Sequence, residues 1–146
     1  MPGEIEWMKR SLILIAALLV TSCASREPTQ ADLKAQWEAR NVPPTNAKGD
    51  ILAFMRTYLN DPVGVRSAQL SPPFRKTLPG EPGDRLLICV RYDARTSSGA
   101  YGGLKTGAAV FTSGRFDVFY DNPREAPELC KDAAYEPFPE LQRLTR

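Results

Sequence analysis

Apolar positions along this chain change their period, and each change predicts an element. Residues 12–20 form an unbroken run of nine apolar residues, preceded by Lys9, Arg10 and Ser11 and followed by Thr21, Ser22 and Cys23. A basic stretch, a short apolar run and small residues before a cut site make a secretory signal. The run is far short of the roughly 20 residues that a membrane-spanning helix needs. Further on, Ile51, Phe54, Met55, Tyr58 and Leu59 fall at i, i+3, i+4, i+7 and i+8. That spacing predicts one amphipathic helix over 46–60, stopped by Asn60 and Asp61-Pro62. Its Met and aromatic stripe reads as a core-facing surface.

After Pro62 the period becomes two. Residues 65–70 read as a short strand ended by Pro72-Pro73, and 72–83 as a Pro-rich loop. Leu86, Ile88, Val90 and Tyr92 alternate with Leu87, Cys89, Arg91 and Asp93. This is the central strand, and its first half is apolar on both faces, so both faces should be covered there. Residues 104–112 and 115–121 form two β-like runs around Ser113-Gly114, a two-residue hairpin turn. The expected register pairs Phe111 with Phe116, Ala109 with Val118 and Gly107 with Tyr120, which leaves Val110 and Phe119 on the other face. From residue 121 the composition turns to Pro and Glu, and an otherwise loose tail is expected, pinned against the central strand by a disulfide from Cys130 to Cys89, with at most one frayed turn over 140–146. The fold class is α+β: one amphipathic helix on a small antiparallel sheet of about four strands. One helix covers one sheet face, so the other is expected to be partly solvated or partner-facing.

Composition narrows the chemistry. The 146 residues contain no His, which removes Ser-His-Asp and Cys-His catalysis and any His-bearing zinc site. The net charge of +2 is too small to argue for nucleic acid. Asp93 and Asp117 lie on expected strands, but nothing in the sequence raises either pKa for acid–base work. The expectation is therefore a protein that is not an enzyme, with no catalytic residues, metal or cofactor.

The junction Val20-Thr21-Ser22-Cys23 resembles the bacterial lipobox. The resemblance implies cleavage before Cys23, thioether lipidation of its sulfur, and acylation of the new amino group by a fatty chain such as palmitate. Two or more chains make a stable membrane anchor. It also divides the chain: 1–22 is the signal peptide, 23–48 the lipidated Cys and tether, and 49–146 a small α+β domain with a Pro-rich tail. Glu4 and Glu6 are atypical of a signal's basic region, so Met8 is the expected start. Ala24 stands where the lipoprotein pattern carries Asp for inner-membrane retention. That implies a cell-envelope location, lipid-anchored in the outer membrane and facing the periplasm of a Gram-negative cell.

With Cys23 lipidated, Cys89 and Cys130 remain, and a secreted chain with two such thiols reads as bearing one disulfide. Within the tether, Thr29 caps a stretch over 29–40 that reads either as a short helix, with Leu33 and Trp37 on one face, or as a flexible spacer.

Short motifs along residues 49–121 resemble a pattern in small alphaproteobacterial envelope lipoproteins: Asp61-Pro62, Arg66, Pro72, Cys89-Val90-Arg91 and Gly99-Ala100-Tyr101-Gly102-Gly103. The resemblance implies an envelope location and supplies no activity. The candidate binding residues are Arg91, Arg95 and Tyr101, with Tyr92 beside them, at the end of the central strand and in the Gly-rich loop after it. Residues 62–120 hold eight basic and four acidic residues, and the tail six acids and four bases. A basic sheet face can meet anionic headgroups or cell-wall carboxylates, or can be an ordinary solvated face. The expected function is a non-catalytic binding or assembly module, with the membrane as one partner through Cys23 and an envelope protein or the cell wall as another. The alternative is a periplasmic ligand binder, or an inhibitor of a wall-degrading enzyme.

Overall fold

The computed structural model describes residues 26–145. The expected signal segment, the expected Met8 start and Cys23 lie outside them. The described elements run α1 (Gln30–Glu38), α2 (Ala47–Tyr58), β1 (Asp61–Leu70), β2 (Phe74–Thr77), β3 (Asp84–Arg95), β4 (Lys105–Thr112), β5 (Arg115–Tyr120), α3 (Glu125–Leu129), β6 (Glu136–Pro137) and α4 (Pro139–Gln142). The class is α+β with an antiparallel sheet, as expected. The sheet has six strands rather than four, and the described residues carry four helices rather than one.

The order across the sheet is β5-β4-β3-β1-β6, and β2 also pairs β3. β3 is central because it is apolar on both sides. Ile88 and Val90 face α2, while Leu87 and Cys89 face away, and all four are at most 1% exposed. β1 pairs with the later half of β3 and β2 with the earlier half, so the Pro-rich loop expected over 72–83 contains a strand.

Helix α2 buries Ile51 and Met55 completely. Asp50 in its first turn and Arg56 in its last complement the helix dipole. Phe54 stacks on Phe116 at 4.8 Å between ring centroids and meets Phe119 at 5.0 Å, which ties the helix to β5. This is the larger core.

The opposite face was expected to be covered along the first half of β3 and elsewhere partly solvated or partner-facing. It holds a second, smaller core of Leu78, Leu87, Cys89, Ala108, Val110, Leu129 and Cys130. The segment that covers it is the Pro- and Glu-rich tail, pinned to the central strand through Cys130 as expected, but carrying helices and a strand that its composition does not predict. Cys130 is bonded to Cys89, α3 brings Leu129 beneath β4, and β6 adds to β1 at Gln69 and Leu70. The turn at the end is α4, where Leu141 is fully buried.

The hairpin keeps the expected Phe111–Phe116 pair, and then a bulge intervenes. Asp117 is the extra residue, so Val110 pairs Val118, Ala109 pairs Phe119 and Ala108 pairs Tyr120, which corrects the expected register by one. The shift turns Phe119 toward α2. It lies over Gly107, where a Cβ would come within 2.0 Å of the Phe119 ring. Gly107→Ala should therefore destabilise the fold by about 1–3 kcal/mol through overpacking, read by urea unfolding. A variant as stable as the parent would refute this register.

β1 carries two further irregularities, at Gly64 (φ 74°) and Ser67 (φ 52°). They space its buried residues as Pro62, Val65, Ala68 and Leu70 instead of in simple alternation.

Residues 29–40 form the helical alternative. Thr29 and Asp32 make a capping box: the Asp32 N–H donates to Thr29 Oγ1 at 3.2 Å, and the Thr29 N–H donates to Asp32 Oδ2 at 2.9 Å. Hydrogen bonds from the Thr29 hydroxyl and backbone hold the Asp32 carboxyl below its usual range. The helix docks on the domain. The Trp37 ring lies 4.5 Å from the Arg85 guanidinium, Asn41 Nδ2 donates to the Asp84 carbonyl at 2.7 Å, and the Ser113 N–H donates to the Arg40 carbonyl at 2.7 Å.

Candidate functional site

β3 alternates, so Arg91, Asp93 and Arg95 project to one face and Tyr92 to the other. The loop after β3 folds back over Arg95. An isolated bridge joins Arg95 to Tyr101, and the Gly102 N–H donates to the Ala94 carbonyl at 3.1 Å. Tyr101 then reaches β1, where its hydroxyl donates to the Gly64 carbonyl at 2.8 Å. The positive φ of Gly64 turns that carbonyl, and a Cβ there would touch the Tyr101 hydroxyl at 3.4 Å.

Two guanidiniums flank the Tyr101 ring, Arg66 at 3.4 Å and Arg95 at 5.4 Å from its centroid. Each guanidinium also meets a carboxylate. Arg66 bonds Asp93 at 2.6 Å, and Arg95 lies 3.7 Å from Asp61. Asp93 accepts a second bond from the Gly103 N–H at 2.9 Å. Two cations facing two anions make a balanced cluster, and its clearest effect is to pin the Gly-rich loop to β1.

Of the residues expected to bind, Arg95 and Tyr101 therefore meet. Arg91 does not join them. Its guanidinium stacks on Tyr135 of the tail at 3.9 Å. Tyr92 lies on the α2 face and is 2% exposed. The carboxylates Asp93 and Asp117 are also engaged separately, Asp93 with Arg66 and Asp117 with Arg85 at 3.3 Å and the Thr112 hydroxyl at 2.7 Å.

Sequence reasoning missed a different constellation at the end of α2. Tyr58 donates to Asp121 Oδ2 at 2.5 Å. Burial, followed by this bond, pushes the Tyr58 hydroxyl above its ordinary range, and burial raises Tyr92 as well. Both phenols thus remain neutral donors at neutral pH. Two adjoining clefts, of about 270 and 240 Å³, share Tyr58, Tyr92 and Lys105. Asp121 and Leu104 line the first, while Asn60 and Arg95 line the second. Tyr58 sits in the helical stripe and reads as core. Its polar partner lies 63 residues away in sequence, so no local signal marks the pair.

Among the described residues no three His, Cys, Asp or Glu side chains are grouped so as to hold a metal ion, and no helix is long and apolar enough to cross a membrane. Comparison with protein-family models, with curated proteins and with solved structures finds no match.

Proposed function

We propose that this protein is a lipid-anchored lipoprotein of the cell envelope, and that its folded domain is a non-catalytic binding or assembly module facing the periplasm. The observation that carries the reading is the Cys89–Cys130 disulfide. Such bonds persist in oxidising compartments outside the cytosol. This one occupies two of the three cysteines and leaves Cys23, the cysteine of the lipobox-like junction. A diacylglyceryl group and an amide-linked chain on Cys23 hold the domain at the membrane. An envelope protein or the cell wall is then the partner within reach. A second reading, a small-ligand binder, is favoured by the adjoining clefts at Tyr58, Tyr92 and Lys105.

The test is to express the full chain in a Gram-negative host with labelled palmitate and weigh the membrane-extracted product intact. The expected product begins at Cys23, carries the label and lacks the two hydrogens of a disulfide. Cys23→Ser should abolish labelling and leave the signal peptide in place. An unlabelled, uncleaved parent chain would overturn the anchor.

A further inference from the structure

We propose that the adjoining clefts around Tyr58, Tyr92 and Lys105 bind a small zwitterion of the amino-acid or short-peptide class, with its ammonium on Asp121 and its carboxylate on Lys105. The inference deepens the binding reading of the domain, on which it rests, and it is independent of the anchor at Cys23.

The charges are placed by the sheet. Lys105 pairs with Tyr92 across β3 and β4, and cross-strand partners point to the same side. Lys105 therefore shares the α2 face with Tyr92. Asp121 reaches the same side, because it accepts the hydroxyl bond of Tyr58. That bond uses Oδ2, and Oδ1 makes no hydrogen bond or ion pair among the described residues. Lys105 is exposed and has no hydrogen bond or ion pair among them either. One cleft thus presents an unpaired ammonium, a carboxylate with spare acceptor capacity, and the neutral Tyr58 phenol bonded to that carboxylate.

Other ligand classes fit less well. A sugar or nucleobase needs an open aromatic face, but the Tyr58 ring is stacked on Phe54 at 5.0 Å and met edge-on by Phe119 at 5.3 Å. In the first cleft a phosphate would lie against the Asp121 carboxylate, and in the second the Arg95 guanidinium is already paired with Asp61 at 3.7 Å. A lone metal cation would lie against Lys105 and find one carboxylate, where oxygen-rich cation sites need several. A zwitterion satisfies both charges at once. Leu104, which is 60% exposed, and Pro123 and Pro127 give its side chain apolar surface. Two clefts of this size side by side suit one or two residues of peptide.

The probe is the dipeptide Ala-Ala, titrated calorimetrically into the membrane-extracted lipidated chain in detergent. N-acetyl-Ala-Ala lacks the ammonium, and Ala-Ala-amide lacks the carboxylate. Saturable binding of Ala-Ala is expected, with each capped form at least about tenfold weaker, as expected when a charge-assisted bond is lost. Lys105→Gln should bring Ala-Ala down to the affinity of the amide. Asp121→Asn should bring it down to that of the acetylated form. Should Asp121→Asn lose its near-UV circular dichroism, Lys105→Gln decides alone, since that side chain lies outside both cores. No saturable binding up to about 10 mM, well beyond any specific affinity, overturns the assignment, as do capped peptides that bind equally. A lipidated chain that ignores Ala-Ala leaves the anchored-module reading standing. An unlipidated chain that binds it does the reverse.

Discussion

Replacing Cys89 and Cys130 together by alanine should lower the unfolding free energy by about 4 kcal/mol. The bond closes a loop of 41 residues' separation. On the chain-entropy model, removing a constraint of that length from the unfolded ensemble costs about that much. It is a large share of the roughly 5–15 kcal/mol available to a small domain. Both cysteines lie in the smaller core, at 0% and 1% exposure, so packing there is lost as well. The loop contains the end of β3, all of β4 and β5, and α3. Without the bond, the segment covering the second face depends on Leu129, Ala133 and Tyr135 for its contacts. The parent unfolded by urea in dithiothreitol should show most of the same loss, since reduction removes the covalent link but keeps both thiols in the core. A loss below about 1 kcal/mol in both would be too small for a loop of this length and would refute the staple.

Which parts of this molecule are legible beforehand depends on how local their cause is. α2 is written in the spacing of Ile51, Met55 and Tyr58, and its ends in Asn46 and Asp61-Pro62. β3 is equally plain, because alternation on one face and apolar residues on the other both survive in the sequence. The Cys89–Cys130 bond follows from counting thiols once Cys23 is set aside. Bulges break this legibility. Gly64, Ser67 and Asp117 each shift the register downstream, and no period reveals where a strand takes an extra residue. Asp117 is stabilised in its bulge by Arg85 and Thr112, partners from β3 and β4. β2 is hidden for another reason. Four residues between proline-rich flanks are too short to show alternation, and they are strand only because Leu86 and Leu87 offer an edge.

The candidate site divides in the same way. Arg95 and Tyr101 are six residues apart, and the loop between them closes locally through Thr96 and Ala100. Arg91 belongs with them by parity, yet Tyr135 captures its guanidinium from the tail. The Tyr58–Asp121 bond joins the end of the helix to the residue after β5. It depends on the bulge that turns Phe119 toward α2, so it could be found only after the register was known.

Phe138→Ala should cost about 4 kcal/mol, within the range of about 3–5 for a fully buried phenylalanine. The residue sits in a segment whose composition of Pro and Glu reads as loose, yet its exposure is 0%. It joins Ile51, Met55 and Leu70 in the larger core, and its backbone N–H donates to the Ala68 carbonyl at 2.8 Å. Lys48 of α2 lies 5.9 Å from its ring and pairs with Glu140 at 3.4 Å, which closes the rim of the site. The tail thus passes from the second face at Cys130, along the edge of β1 as β6, to the first face at Phe138. It clamps the sheet from both sides. The two fastenings share no partner, so the losses from Phe138→Ala and from the cysteine replacement should add to within about 0.5 kcal/mol. Strong coupling between them would mean that the tail packs as one unit held by either end. A Phe138→Ala loss under about 1 kcal/mol, far below that of a buried aromatic, would exclude the tail from the larger core.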